Sequence, residues 1–180
     1  MNRFMIMTVG KTHSGKTTFA NQLEAELRHA VVIDQDNHAE FINKHYVKLR
    51  PTAGANTLKF AVTNAIVEYA VQQSHVHIIL SNSNLSKHGR SNMLRYFHDH
   101  GFVRIIVYFD LPIELLKERV EHSQRTKEIF RSASSFLEVL ERQERMGLDE
   151  PAENEADHLF VMKSPNEAAD IIDQIKALAC

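Results

Sequence analysis

One short stretch limits the fold of this chain more than any other. Gly10-Lys11-Thr12-His13-Ser14-Gly15-Lys16-Thr17-Thr18 follows the pattern G-x-x-x-x-G-K-S/T. Such a loop wraps a phosphate when a buried strand delivers it and a helix leaves it. Phe4-Met5-Ile6-Met7-Thr8-Val9 supplies the apolar run before it. Phe19, Leu23 and Leu27 recur at helical spacing after it, with Ala20 and Ala25 beside them. Gly10 and Gly15 permit backbone angles that turn consecutive N–H groups towards one anion. The helix start adds the positive end of its dipole. In this pattern Lys16 reaches the β- and γ-phosphates of a nucleotide, and the Thr17 hydroxyl faces magnesium (Mg2+). The run from Gly10 through Lys11, Thr12, His13, Ser14, Gly15, Lys16 and Thr17 to Thr18 is therefore the candidate nucleotide cradle.

Short apolar runs alternate with helical patterns along the rest of the chain. Strands are expected at 3–9, 30–34, 77–80, 103–109 and 158–162. Helices are expected at 17–29, 38–49, 57–73, 86–100, from Pro112 onwards, at 136–146 and at 165–178. In the third of these, Leu58, Ala61, Ala65, Ile66 and Tyr69 share a face; in the last, Ala168, Ile171, Ile172 and Ile175 point inward. Strands that are nearly all apolar call for a parallel sheet covered on both faces, with right-handed crossovers. The expected fold is a three-layer α/β/α domain with a five-stranded parallel sheet, spanning residues 1–180. No repeat, low-complexity tract or linker divides it.

Ligands of such sheets bind outside the carboxyl ends of the strands. Asp34, Asp36, the segment 81–84 and Asp110 all fall there. Phosphoryl transfer to a hydroxyl needs a carboxylate that orients the acceptor and takes its proton. Asp36 is placed for that, or it caps the following helix. Asp34 holds a magnesium-bound water and contacts the substrate, or it simply ends the strand. The usual second acidic residue for the metal would stand at position 81, which is Ser81. Asn82, Ser83 and Asn84 hydrogen-bond a substrate or make a turn.

A polar, basic segment, about 119–135, is the candidate lid. Cations brought in by a lid meet the charge on a moving phosphoryl group, and Arg119 and Arg125 are the candidates. They lie six residues apart, so one continuous helix would not present both on one face. A bend between them is required. Lys127 and Arg131 read as a solvated charged face. Arg90 meets an anionic substrate or lies on the surface.

The bulk numbers remove other classes. A net charge of −2 gives no global electrostatic case for nucleic-acid binding, and there is no tryptophan for base stacking. The longest apolar runs are too short to span a bilayer. No basic stretch precedes a cleavable apolar one, so a cytoplasmic location is the default. Cys180 is the only cysteine, which excludes an internal disulfide or a cysteine metal site. His75 with His77, and His98 with His100, read as solvated or capping residues. The expected partners are a nucleotide and a small-molecule or nucleotide acceptor, with a nucleic-acid 5′ end as the less favoured acceptor and no membrane, in a monomer or homodimer.

With these residues in view, the chain resembles the small P-loop kinases of the polynucleotide-kinase-like and zeta-toxin-like type, within the P-loop NTPase superfamily and its AAA-type ATP-binding family. The resemblance runs to about Met162. The loop from Gly10 to Thr18 carries it most specifically. Ile33-Asp34-Gln35-Asp36-Asn37 is similar to the segment whose aspartate is the general base in that group, which points to Asp36. Leu80-Ser81-Asn82-Ser83-Asn84-Leu85-Ser86 resembles its D-x-T-N-L segment, with Arg90 at the place of the following arginine. Glu118-Arg119-Val120 through Arg125 resembles its lid. Ser81 stands where that group has aspartate, and Ser83 where it has threonine. The resemblance implies a sheet ordered 2-3-1-4-5 and transfer of the γ-phosphoryl group of Mg-ATP to a hydroxyl or phosphate. The choice of ATP rests on it alone. A different class competes, a nucleotide-binding regulatory or toxin-related module with little turnover, which Ser81 favours. A GTPase is disfavoured by the lack of an N-K-x-D-type motif.

Overall fold

The computed structural model describes residues 2–125, 129–130, 133 and 135–179. Lys127, Arg131 and Cys180, named above, lie outside the described residues. Five strands, β1 (Arg3–Val9), β2 (Ala30–Ile33), β3 (His77–Leu80), β4 (Phe102–Phe109) and β5 (His158–Met162), form one parallel sheet. Its order is β2-β3-β1-β4-β5, as the resemblance implied. Among the described residues seven α-helices connect or flank its strands: α1 (Lys16–Glu26), α2 (Gln35–His45), α3 (Thr57–Gln73), α4 (Lys87–Asp99), α5 (Ile113–Glu121), α6 (Phe136–Met146) and α7 (Ala168–Ala179).

β1 has a strand on each edge, β3 from Met5↔Ile78 and β4 from Arg3↔Phe102 to Val9↔Tyr108, and helices bury both its faces. Its side chains alternate with period two. Phe4 and Ile6 pack in one core with Phe19 and Leu23 of α1 and Ile172 and Ile175 of α7. Met5, Met7 and Val9 pack in the other with Val67 and Val71 of α3 and Leu94 and Phe97 of α4. The three layers are the expected ones, and the phosphate loop leaves the sheet from its most enclosed strand.

Three expectations change. α2 starts at Gln35 rather than 38, because Asp34 is its cap: Oδ1 accepts the Asp36 N–H at 2.8 Å. The last helix opens with a separate 3₁₀ turn, Pro165–Glu167. In α3 the buried residues are Thr63, Val67, Ala70 and Val71, while Tyr69 is 68% exposed. α3 is apolar nearly all round, so its spacing does not choose a face; packing against α2 and the sheet does. Phe60, Ile66 and Tyr69 are left outward. No helix among the described residues is long and apolar enough to cross a membrane.

Candidate functional site

The loop after β1 is held in a conformation that glycine alone adopts easily. Gly10 has φ 152°, and a Cβ there would sit 2.9 Å from the Phe109 Cβ and 3.1 Å from its carbonyl oxygen. The Gly10 N–H donates to Ser83 O at 3.0 Å, tying the loop to the segment after β3. Gly15, at φ 97°, opens α1 with no side-chain cap, so the first N–H groups of α1 stay directed at the loop. Lys16 folds over the loop and donates to Lys11 O and Ser14 Oγ.

Burial lowers the Lys16 ammonium to about 8, with Asp36 and Asp34 opposing and Arg125 assisting. The sign gives a test. A bound polyphosphate favours the charged lysine, so above about pH 8 binding must take up a proton and ATP affinity falls. The free protein shifts the opposite way. Its unfolded chain binds more protons in that window, so its stability gains from this group as pH rises. Calorimetric titrations and thermal melts between pH 7 and pH 10 measure the two slopes; parallel slopes would exclude Lys16 as their origin.

Asp34 is buried, and burial pushes its carboxyl up, partly offset by the Asp36 N–H. Its Oδ2 accepts from Thr17 Oγ1 at 3.3 Å. Asp36 sits in the first turn of α2 with its carboxylate open to the cleft, 3.4 Å from Arg125. The bend expected between Arg119 and Arg125 is where α5 stops, at Glu121. Arg119 donates to His13 O at 3.1 Å, and Arg125 lies over the Phe136 ring. His13 ties the loop to the segment after α5 and to α6: Nε2 meets Ser123 Oγ at 2.8 Å and its ring meets the Phe136 ring edge-on. Burial, then Arg125, Lys16 and Arg119, lower it to about 4, so it is neutral at pH 7.

Lys16, Asp36, Arg119 and Arg125 thus line one cleft of about 790 Å³, together with Ser81, Asn82 and Ser83. Three of the residues expected to meet the substrate do not line the cleft: Asp34, which caps α2, Arg90 and Asn84. Arg90 neither lines the cleft nor lies on the surface. It is 1% exposed, with Nε and one terminal nitrogen on Glu155 at 2.9 and 3.0 Å and the other on Asn84 O and Leu85 O. Glu155 is distant in sequence, so nothing near Arg90 announces the pairing. Asn84 is a turn residue, at φ 47°, and its amide donates to Thr8 O at 2.9 Å. Asn82 Oδ1 accepts the Gln35 N–H, bracing α2 against β3. Ser81 Oγ is buried without a hydrogen-bond partner among the described residues.

Sequence reasoning missed Lys59 and the contacts that α6, itself expected at 136–146, makes with the phosphate loop. Lys59 enters the cleft from the first turn of α3. Gln143 accepts the Thr12 N–H at 2.7 Å, and Glu144 pairs with Lys11. The amphipathic spacing of α6 announces the helix but does not say which loop the helix meets.

A family model described as an AAA domain matches residues 5–148. No curated protein matches the chain. Solved structures share its fold at low identity. Kti12 of Chaetomium thermophilum, solved with ADP-AlF3, is 19% identical at TM-score 0.64, over 95% of this chain and 96% of that one. The APS kinase CysC of Mycobacterium tuberculosis, solved with AMPPNP and APS, is 14% identical at TM-score 0.61, over 97% and 98%. A sugar kinase from Janibacter sp. is 16% identical at TM-score 0.59, over 98% and 92%.

Proposed function

The chain belongs to the AAA domain family, and on that premise we propose that it is an ATP-dependent phosphotransferase acting on a hydroxyl or phosphate of a small molecule or nucleotide. One observation carries this reading: Lys16, Asp36, Arg119 and Arg125 converge on a single cleft. For a hydroxyl acceptor, Asp36 accepts its hydrogen bond and aims its oxygen at the γ-phosphorus. A bond forms from that oxygen to phosphorus, and the bond to the β,γ-bridging oxygen breaks. ADP leaves, and the hydroxyl proton ends on Asp36. Lys16 and the loop N–H groups hold the phosphates, while Arg119 and Arg125 meet charge on the transferred group. The Asp36–Arg125 pair is long and exposed, so it is worth about 0–1 kcal/mol and an acceptor displaces it cheaply.

The residues also fit magnesium. The Thr17 hydroxyl and the Asp34 carboxylate are adjacent oxygen donors, and burial disfavours the Asp34 charge unless a cation meets it. When bound, magnesium offsets phosphate charge. Ser81 adds no charge there, so Asp34 takes the acidic role. The same neutral Ser81 favours the second reading, a nucleotide-binding module with little turnover. The polynucleotide-kinase-like and zeta-toxin-like assignment rests on the motif matches given above.

The test is ADP release from Mg-ATP with a panel of sugars, nucleosides, nucleotides and hydroxyl antibiotics, using Lys16→Ala as the blank. One acceptor is expected to raise the rate at least about tenfold, and Lys16→Ala to abolish the gain. ATP binding with no acceptor-dependent rate across the panel would instead favour the binding module.

A further inference from the structure

Arg90 leaves the acceptor half of the cleft without the cation expected there, and Lys59 stands in that half. It lines the cleft with Gln35, Asp36, Ser81 and Asn82. Its ammonium makes no hydrogen bond or ion pair among the described residues; its one described neighbour of note is the Phe60 ring, 5.2 Å away. Lysine is seldom taken from water without a partner. Burial lowers this one, against the pull of Asp36 and Asp34. Its position is also unfavourable for the helix itself. Asn56 caps α3 by accepting the Lys59 N–H, so Lys59 sits in the first turn, where the helix dipole disfavours a cation. Lysine charge and helix dipole, with Ser81, whose hydroxyl has no partner among the described residues, lining the same cleft, make a place for an anion.

We infer that Lys59 binds an anionic group of the acceptor, so that the acceptor is a small molecule carrying both a hydroxyl and a phosphate, sulfate or carboxylate. This rests on the phosphotransferase reading. A small molecule is favoured over a polymer end because the 790 Å³ cleft must also hold the nucleotide phosphates, and the net charge of −2 offers no track for a polyanion.

The experiment uses matched acceptors with wild type, Lys59→Gln and Lys59→Arg: ribose and ribose 5-phosphate, glucose and gluconate, adenosine and its 5′-monophosphate, and a 5′-hydroxyl oligonucleotide. An anionic small molecule is expected to be preferred. Lys59→Gln should raise its KM about tenfold or more, with the KM of ATP moving less than about twofold and Lys59→Arg recovering part of the loss. Preference for a neutral partner or the oligonucleotide, or an unchanged acceptor KM in Lys59→Gln, overturns the inference. If no acceptor is turned over, the phosphotransferase reading fails separately. Lys59 is then judged by titrating sulfate into protein saturated with Mg-AMPPNP, which fills the loop. Sulfate affinity about tenfold weaker in Lys59→Gln sustains the anion site; equal affinity in both proteins, or none in either, removes it.

Discussion

Asp36→Asn is expected to lower kcat about 10²–10⁴-fold while the Kd for Mg-ATP stays within about twofold. The amide keeps the size and hydrogen-bonding reach of the carboxylate but does not accept the acceptor's proton. Structural damage should be small. Asp36 is not the cap of α2; Asp34 is, through its Oδ1. The bond lost to Arg125 is long, and both side chains are about half exposed. Steady-state rates with the acceptor found by the panel, together with calorimetric ATP titration, separate the two quantities. A kcat loss below about tenfold would deprive Asp36 of the base role. An equal loss of ATP affinity would make it part of the nucleotide site instead.

The second large effect falls on stability. Arg90→Met should cost about 3–5 kcal/mol, because it leaves the Glu155 carboxylate buried without its partner. It also strips the carbonyls of Asn84 and Leu85 of their donors. For a chain of this size that is a fall in Tm of roughly 6–20 °C. The double substitution Arg90→Met, Glu155→Leu should recover most of the loss, since replacing both members of a buried pair by apolar groups is often neutral. Thermal unfolding followed by circular dichroism decides it. A single variant melting within about 2 °C of wild type would show that the pair is dispensable.

Most of the architecture was readable before any coordinates because each strand is a short apolar run bounded by polar turn residues. β1 and β5 begin and end at the expected residues, and β4 starts one residue early, at Phe102. The phosphate loop was equally plain, since its chemistry is written in consecutive positions. The strand order came from the likeness to known kinases rather than from the apolar pattern, which is silent on which strands are neighbours. What stayed hidden depends on groups far apart in sequence. Arg90 finds Glu155, Thr12 finds Gln143, and Lys59 crosses from α3 to the side of Asp36. A local pattern also fails when it has no contrast. α3 is apolar on several faces, and the face chosen from spacing was the outward one.

The central position of β1 has a consequence for how the chain is made. Its partners in the sheet are β3 and β4, and Arg3 meets Phe102, about a hundred residues later. At about 5–20 residues per second, the ribosome takes on the order of 5–20 s to supply that partner. Until then the apolar run Phe4–Val9 lacks the longer of its two strand partners, and Gly10 lacks the Phe109 backbone against which it is shaped. The phosphate loop is synthesised about a hundred residues before the strand against which it takes its form. The nascent chain must therefore carry an incompletely paired apolar strand through that interval, the one in which a holding chaperone has the most to protect.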